Sequence, residues 1–150
     1  MKNYKNNSNK NLVVEEPMAV YAVADDSSIF TLIEKIKKGI SFNAFSKLVK
    51  NTPFKISEWA GFLHISERTM QRYQKENKNF DALYTEKIYE VSMLTNYGVE
   101  VFGSIDNFNQ WLSTSNVALG GIVPKTLLDS TFGIQVLKDE LGRIEHGILA

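Results

Sequence analysis

The sequence contains no cysteine, which removes disulfides and thiolate metal sites from consideration. Its two histidines, His64 and His146, are too few for a multi-histidine metal centre. No apolar run approaches the roughly 20 residues that span a membrane. The opening MKNYKNNSNKN lacks the apolar core of a secretory leader. No membrane partner is expected, and the expected compartment is the cytoplasm. Catalytic patterns are missing too. No serine sits in a nucleophile elbow, and no two carboxylates are placed to split their acidities in one pocket. Gly120-Gly121 lacks the GxxxxGK[ST] pattern of a phosphate loop and reads as a turn. Asp139 and Glu140 read as solvated charge on a helix's polar face. His146, beside Gly147, reads as a cation closing a helix C-terminus. A hydrolase using His146 with Glu145 or Asp129 is the enzymatic alternative. Adjacent side chains diverge on a helix, so Glu145 and His146 make a poor dyad. The expectation is a protein that is not an enzyme and needs no metal and no cofactor.

What is present is a chain of 150 residues, enough for one domain or two small ones sharing a core. Its 17 Lys and Arg balance its 17 Asp and Glu, but unevenly along the chain. Residues 41–80 carry seven Lys and Arg against three Glu, whereas residues 81–150 carry four against nine acids. A basic middle and an acidic C-terminal half suggest two different partners.

Residues 1–11 are rich in Asn and Lys and read as disordered. Residues 12–24 fit a short strand or a docked helical segment, with Pro17 against an uninterrupted helix. Asp25, Asp26, Ser27 and Ser28 offer N-caps to a helix whose apolar face is Ile29, Leu32, Ile33, Ile36 and Ile40, ended by Gly39. A second helix begins at Ser41 or Asn43 and stops before Pro53.

The stretch ISEWAGFLHISERTMQRYQ (56–74) reads as a helix-turn-helix. Ser57 is the expected cap of its first helix, with Trp59 as the packing centre and Ala60 where the helices cross. His64-Ile65 is the turn, and Ser66 caps the second helix. Helix-turn-helix DNA binders place the start of that second helix in the major groove. The expected DNA-binding residues are Ser66, Glu67, Arg68, Thr69, Gln71, Arg72 and Lys75. Arg suits guanine, Gln adenine and Thr the thymine methyl, and Lys75 suits a phosphate. A helical hairpin that only packs is the alternative reading.

Asp81 caps a long helix through Phe102, with Tyr84, Ile88, Val91, Leu94 and Val101 along one stripe. Gly103-Ser104 breaks it, and Ser104 caps a helix bearing Phe108, Trp111 and Leu112. A compact loop follows at 116–124, then a brief helix at 124–128 opened by Pro124. The last helix starts near Asp129-Ser130-Thr131 and has its apolar face at Ile134, Leu137, Leu141, Ile144 and Ile148. The whole reads all-α. Residues 111–147 are closely specified yet poor in reactive groups, the profile of a surface built to be bound.

The order of these features resembles the Xre/MbcA/ParS antitoxins. The resemblance rests on the helix-turn-helix, the long helix ending Val101-Phe102-Gly103, then Trp111-Leu112, Asn116, Leu119-Gly120-Gly121, Pro124, Leu127-Leu128, Gly133, Val136 and Leu141 through Gly147. It covers residues 28–148, most of the chain. Two positions depart from the pattern: His64 stands where the turn usually has glycine, and Tyr73 where related sequences often carry a second basic residue after Arg72.

The resemblance implies an N-terminal segment at 1–27, an Xre-like helix-turn-helix DNA-binding domain at 28–102 and a small helical toxin-binding domain at 103–150. It implies a RES-domain toxin that degrades NAD+ as protein partner, active-site occlusion as mechanism, and operator DNA as second partner with repression of the chain's own operon. It implies a homodimer within a larger toxin–antitoxin complex. The toxin-binding residues it implies are Trp111, Asn116, Leu119, Gly120, Gly121, Pro124, Arg143, Glu145, His146 and Gly147. The alternative is a stand-alone helix-turn-helix transcription regulator whose C-terminal half only dimerises.

Overall fold

The computed structural model describes residues 26–147. The readings made for residues 1–25 and for Ile148 lie outside them. The described chain runs α1 (Asp26–Lys38), β1 (Ile40–Ser41), α2 (Phe42–Val49), α3 (Ile56–Phe62), α4 (Glu67–Glu76), β2 (Asn79–Phe80), α5 (Ala82–Phe102), α6 (Ile105–Ser113) and α7 (Thr131–Glu145). Two 3-10 turns, Val117–Leu119 and Pro124–Leu127, fill the link between α6 and α7. The architecture is all-α, an N-terminal helix-turn-helix followed by a smaller helical part.

Short polar side chains start most of the helices. Ser66 Oγ accepts the Thr69 N–H, Asp81 Oδ1 that of Tyr84, Ser104 Oγ that of Asn107 and Ser130 Oγ that of Gly133. Each such cap contributes about 1 kcal/mol. Ser57 is a correction. Helix α3 starts at Ile56 with Lys55 as its cap residue, and the Lys55 N–H donates to Glu58 Oε1 at 3.1 Å. Glutamate at the third helical position can reach back to that N–H, which leaves Ser57 inside the first turn.

One core runs through both halves. Phe45, Trp59, Met70 and Phe80 from the first part join Ile88, Leu94, Phe108, Leu112, Leu137 and Leu141 in a single buried cluster. Trp59 is its aromatic hub, meeting Phe45, Phe54 and Phe62 edge-on at centroid distances of 5.6, 5.9 and 5.6 Å. Pairs of this geometry add about 0.5–1.5 kcal/mol each beyond their burial. Helix α5 is the shared spine, packed against α1, α2, α6 and α7.

Three further expectations change. Ile40 leaves the first helix and pairs with Phe80 in a two-residue antiparallel ladder, because Gly39, at φ +74°, turns the chain out of α1. Ile29 and Ile33 are exposed, as is Phe30. Among the described residues helix α1 leans mainly on α5, which covers only part of its apolar stripe. At the other end Ile144 is at the margin of exposure, on the side of α7 turned away from the Tyr97 contact with Glu145. No helix among the described residues is long and apolar enough to cross a membrane.

Candidate nucleic-acid and protein interfaces

The turn between α3 and α4 is closed by backbone bonds from Leu63 to Trp59, His64 to Gly61 and Ile65 to Ala60. His64 has φ +56°, the left-handed conformation that glycine adopts freely and most residues resist. A second use of the histidine accompanies that strain. Its Nε2–H donates to the carbonyl of Asp129 at 2.7 Å, across 65 residues of sequence. A glycine could make the turn but not this bond.

Beyond the turn, α4 turns Met70 and Tyr73 inward and leaves Ser66, Glu67, Arg68, Gln71, Arg72 and Lys75 exposed. Thr69 is half-buried, and its hydroxyl accepts from Ser66 Oγ at 2.9 Å, so both belong partly to the cap. The helix thus gathers Arg68, Gln71 and Arg72 on one open face. Tyr73 packs on Phe80 at 5.0 Å, with Lys78 Nζ 4.9 Å above its ring. Position 73 is thus occupied by a packing residue, and Lys78 places the nearby charge over its ring.

The C-terminal half presents a different construction. Asn116 ties the loop that follows α6 into a knot. Its N–H donates to Ile122, its carbonyl accepts from Leu119 and Gly121, and its side-chain oxygen accepts the Ala118 N–H at 2.9 Å. Ser115 Oγ donates to the Gly121 carbonyl at 2.6 Å. Gly120 and Gly121, at φ +72° and +84°, complete the reversal that a side chain would oppose. The backbone groups and the side-chain oxygen of Asn116 therefore serve the loop itself. What the loop presents is Val117, 94% exposed at its tip, with Ile122 beside the glycines.

Trp111 is half-buried, stacked on Phe108 at 6.0 Å and near Phe102 at 5.5 Å, and Pro124 is buried. These two support the loop from behind. Leu119 is half-buried; Gly120 and Gly121 are exposed.

The last turn of α7 forms the second part of this surface. Arg143 and His146 line a groove of about 510 Å3 between α5 and α7, with Tyr97, Glu100 and Asp139. The Tyr97 hydroxyl donates to the Glu145 carboxylate, and Asp129 gives its carbonyl to His64 at the opposite end of α7. Neither carboxylate is committed to His146. Glu140 corrects the sequence reading. It is 5% exposed, not solvated, and accepts from Arg143 Nη1 at 2.8 Å. Its place one residue before the core residue Leu141 turns it under the helix, where Arg143, one turn on, covers it.

Two exposed residues were absent from the sequence assignment. Val117 and Phe132 are 94% and 88% exposed. Each had a signal: Val117 sits between a capping Asn and two glycines, and Phe132 falls off the stripe of Ile134, Leu137 and Leu141.

The two halves are joined by more than α5. Lys125 Nζ lies 3.0 Å from Glu58 Oε2 and 5.9 Å from the Phe54 ring, tying the second 3-10 turn to α3. Burial pushes the Glu58 carboxyl up, but the Lys55 N–H and the Lys125 ammonium outweigh it and hold the group below its ordinary range.

Comparison with known proteins follows the same division. Residues 31–92 match the antitoxin Xre-like helix-turn-helix domain, and residues 98–147 match the antitoxin Xre/MbcA/ParS C-terminal toxin-binding domain. The chain is 28% identical to an antitoxin Xre of Photorhabdus laumondii over 105 residues, 64% of this chain and 71% of that one. It is 25% identical to an antitoxin Xre of Yersinia enterocolitica over 120 residues, 79% and 81% of the respective chains. With a helix-turn-helix in one half, a toxin-binding fold in the other and relatives aligned across both, the chain belongs to the Xre/MbcA/ParS antitoxin family.

Proposed function

We propose that this antitoxin neutralises a RES-domain toxin that degrades NAD+, by covering the toxin's active site, and represses its own operon through α4. The carrying observation is the Asn116-knotted loop. It holds an apolar tip and two bare glycines in a fixed shape, and it carries no Asp, Glu, His, Lys or Arg from residue 115 to residue 123. A preformed surface loses little freedom on docking. The groove with Arg143 and His146 lies in the acidic half, whose charge suits the cationic mouth that an NAD+-consuming enzyme needs.

In this reading Val117, Leu119, Gly120, Gly121, Arg143, Glu145, His146 and Gly147 meet the toxin, while Trp111, Asn116 and Pro124 hold the surface in shape. Ser66, Glu67, Arg68, Thr69, Gln71, Arg72 and Lys75 face the operator, with Arg68, Gln71 and Arg72 as base readers. Helix-turn-helix proteins engage two-fold operators as dimers, and the exposed Ile29, Phe30 and Ile33 of α1 are consistent with self-association. Such a complex would work in the cytoplasm, beside the operon and the NAD+ pool.

The test is co-expression with the adjacent RES-domain gene, reading growth and cellular NAD+. The full chain should restore both. A chain ending at Arg143 keeps every buried residue of α7 but loses the last turn. It should fold, bind the operator and fail to restore NAD+. A neighbour that is harmless alone, or an operator response indifferent to it, favours the stand-alone regulator.

A further inference from the structure

A cleft of about 700 Å3 lies between α1 and α2, floored by β1 and closed by Tyr89 of α5. Lys35, Lys38 and Lys47 line it, together with Asn43 and Asn51, and no Asp or Glu does. That single sign sets it apart. The groove between α5 and α7 mixes Glu100 and Asp139 with Lys138 and Arg143, and the groove beside His64 mixes Glu86 and Glu90 with Lys87. Like charges such as Lys38 and Lys47 at one mouth repel one another, and an anion between them relieves that cost. Lys38, Lys47, Asn43 and Asn51 all reach solvent.

The cleft is fixed to the reading helix. The Asn43 N–H donates to Oδ1 of Asn77, the left-handed residue that ends α4, at 2.9 Å. The Phe42 N–H donates to the Lys78 carbonyl at 3.0 Å, and β1 pairs with β2 immediately after α4. The rim of the cleft therefore abuts the C-terminal end of α4, with Lys75 in its last turn and Lys78 just beyond its cap.

We propose that this cleft is a second DNA contact, which holds backbone phosphates flanking the bases read by α4, with Lys38 and Lys47 as the principal cations. It rests on the reading of α4 as the operator-binding helix. The contact lies outside the helix-turn-helix motif and carries no sequence information, because phosphates are alike at every step. It lengthens the footprint and fixes the angle at which α4 enters the groove.

The experiment uses the full chain and two duplexes, one from upstream of its own operon and one of scrambled sequence, titrated across a range of KCl concentrations. Lys38→Gln with Lys47→Gln removes two charges from exposed positions. Each lost phosphate contact flattens the slope of log affinity against log salt by about 0.9, so the double variant should lose about 1.8 from the slope. Affinity at 0.1 M salt should fall on the order of tenfold to a hundredfold, equally for both duplexes. Arg68→Ala is the companion variant and should lower the preference for the operator over the scrambled duplex.

An unchanged slope in the lysine variant, with Arg68→Ala still costing specificity, overturns the cleft and leaves the operator reading standing. A lysine variant that loses preference for the operator without a slope change also overturns it. Wild-type protein that binds neither duplex overturns both.

Discussion

The two halves of this antitoxin build their surfaces by opposite means. In the first, the exposed residues of interest ride on the regular face of α4, and the helix needs only its Ser66 cap and its buried Met70 and Tyr73 to hold them. In the second, the surface is a loop that has no buried side chain from residue 115 to residue 123. It is held by hydrogen bonds converging on Asn116. A helix presents long charged side chains that suit a charged duplex. A knotted loop presents backbone and small apolar groups that suit a shaped protein surface. Yet both rest on one core, and that is where the comparison can be broken.

Trp59→Ala is the largest test. The indole is fully buried among Phe45, Phe54 and Phe62, and removing it should cost about 3–5 kcal/mol. If the core is truly shared, the amides of Leu137 and Leu141 in α7 should lose hydrogen-exchange protection together with those of α3. A variant in which α7 keeps its protection while α3 loses it would make the halves independent folding units.

The halves also differ in how legible they are in the sequence. The helices, the caps at Ser66, Asp81, Ser104 and Ser130, and the hub role of Trp59 follow from periodicity and side-chain chemistry, which are local. The left-handed turn at His64 follows from the motif. What did not follow is long-range. Nothing near His64 in sequence points to Asp129, and nothing near Glu58 points to Lys125. The pairing of Ile40 with Phe80 joins residues forty positions apart, too short a ladder to leave an alternating pattern. Glu140 looks like any helix-surface acid until the rotation of α7 against α5 is known. Asn116 was legible as important, but its cap on Ala118 was not, because a capping side chain and a contact side chain look alike in the sequence.

The Glu58–Lys125 bridge gives a smaller effect with a defined sign. A carboxyl held below its ordinary acidity range stabilises the fold above its unfolded value, about 4.3, and loses that contribution as pH falls through the folded value. Both side chains retain some exposure, so the contribution is a few tenths of a kcal/mol. Between pH 7 and 5 the wild type and Glu58→Gln should therefore differ by a constant small amount in denaturation midpoint. Below about pH 4 the difference should close. A gap that persists at pH 3 would assign the effect to the Lys55 cap geometry, not to charge.

His64→Gly sets two opposing effects on stability against each other and separates two roles of one residue. Glycine relieves a left-handed backbone that costs an L-residue about 1 kcal/mol, though it also adds freedom to the unfolded chain. The lost bond to Asp129 withdraws about 0.5–1.5 kcal/mol. These nearly cancel, so the denaturation midpoint should move by less than about 1 kcal/mol in equivalent stability. The local consequence does not cancel. The Thr126 and Leu128 amides, which close the second 3-10 turn, should exchange severalfold faster once the helix-turn-helix turn no longer grips the chain at residue 129. Unchanged exchange would reduce His64 to a turn residue and leave Lys125 and α5 as the links between the helix-turn-helix half and the C-terminal half. Faster exchange would make the histidine a physical tie between them, one that the usual glycine cannot supply.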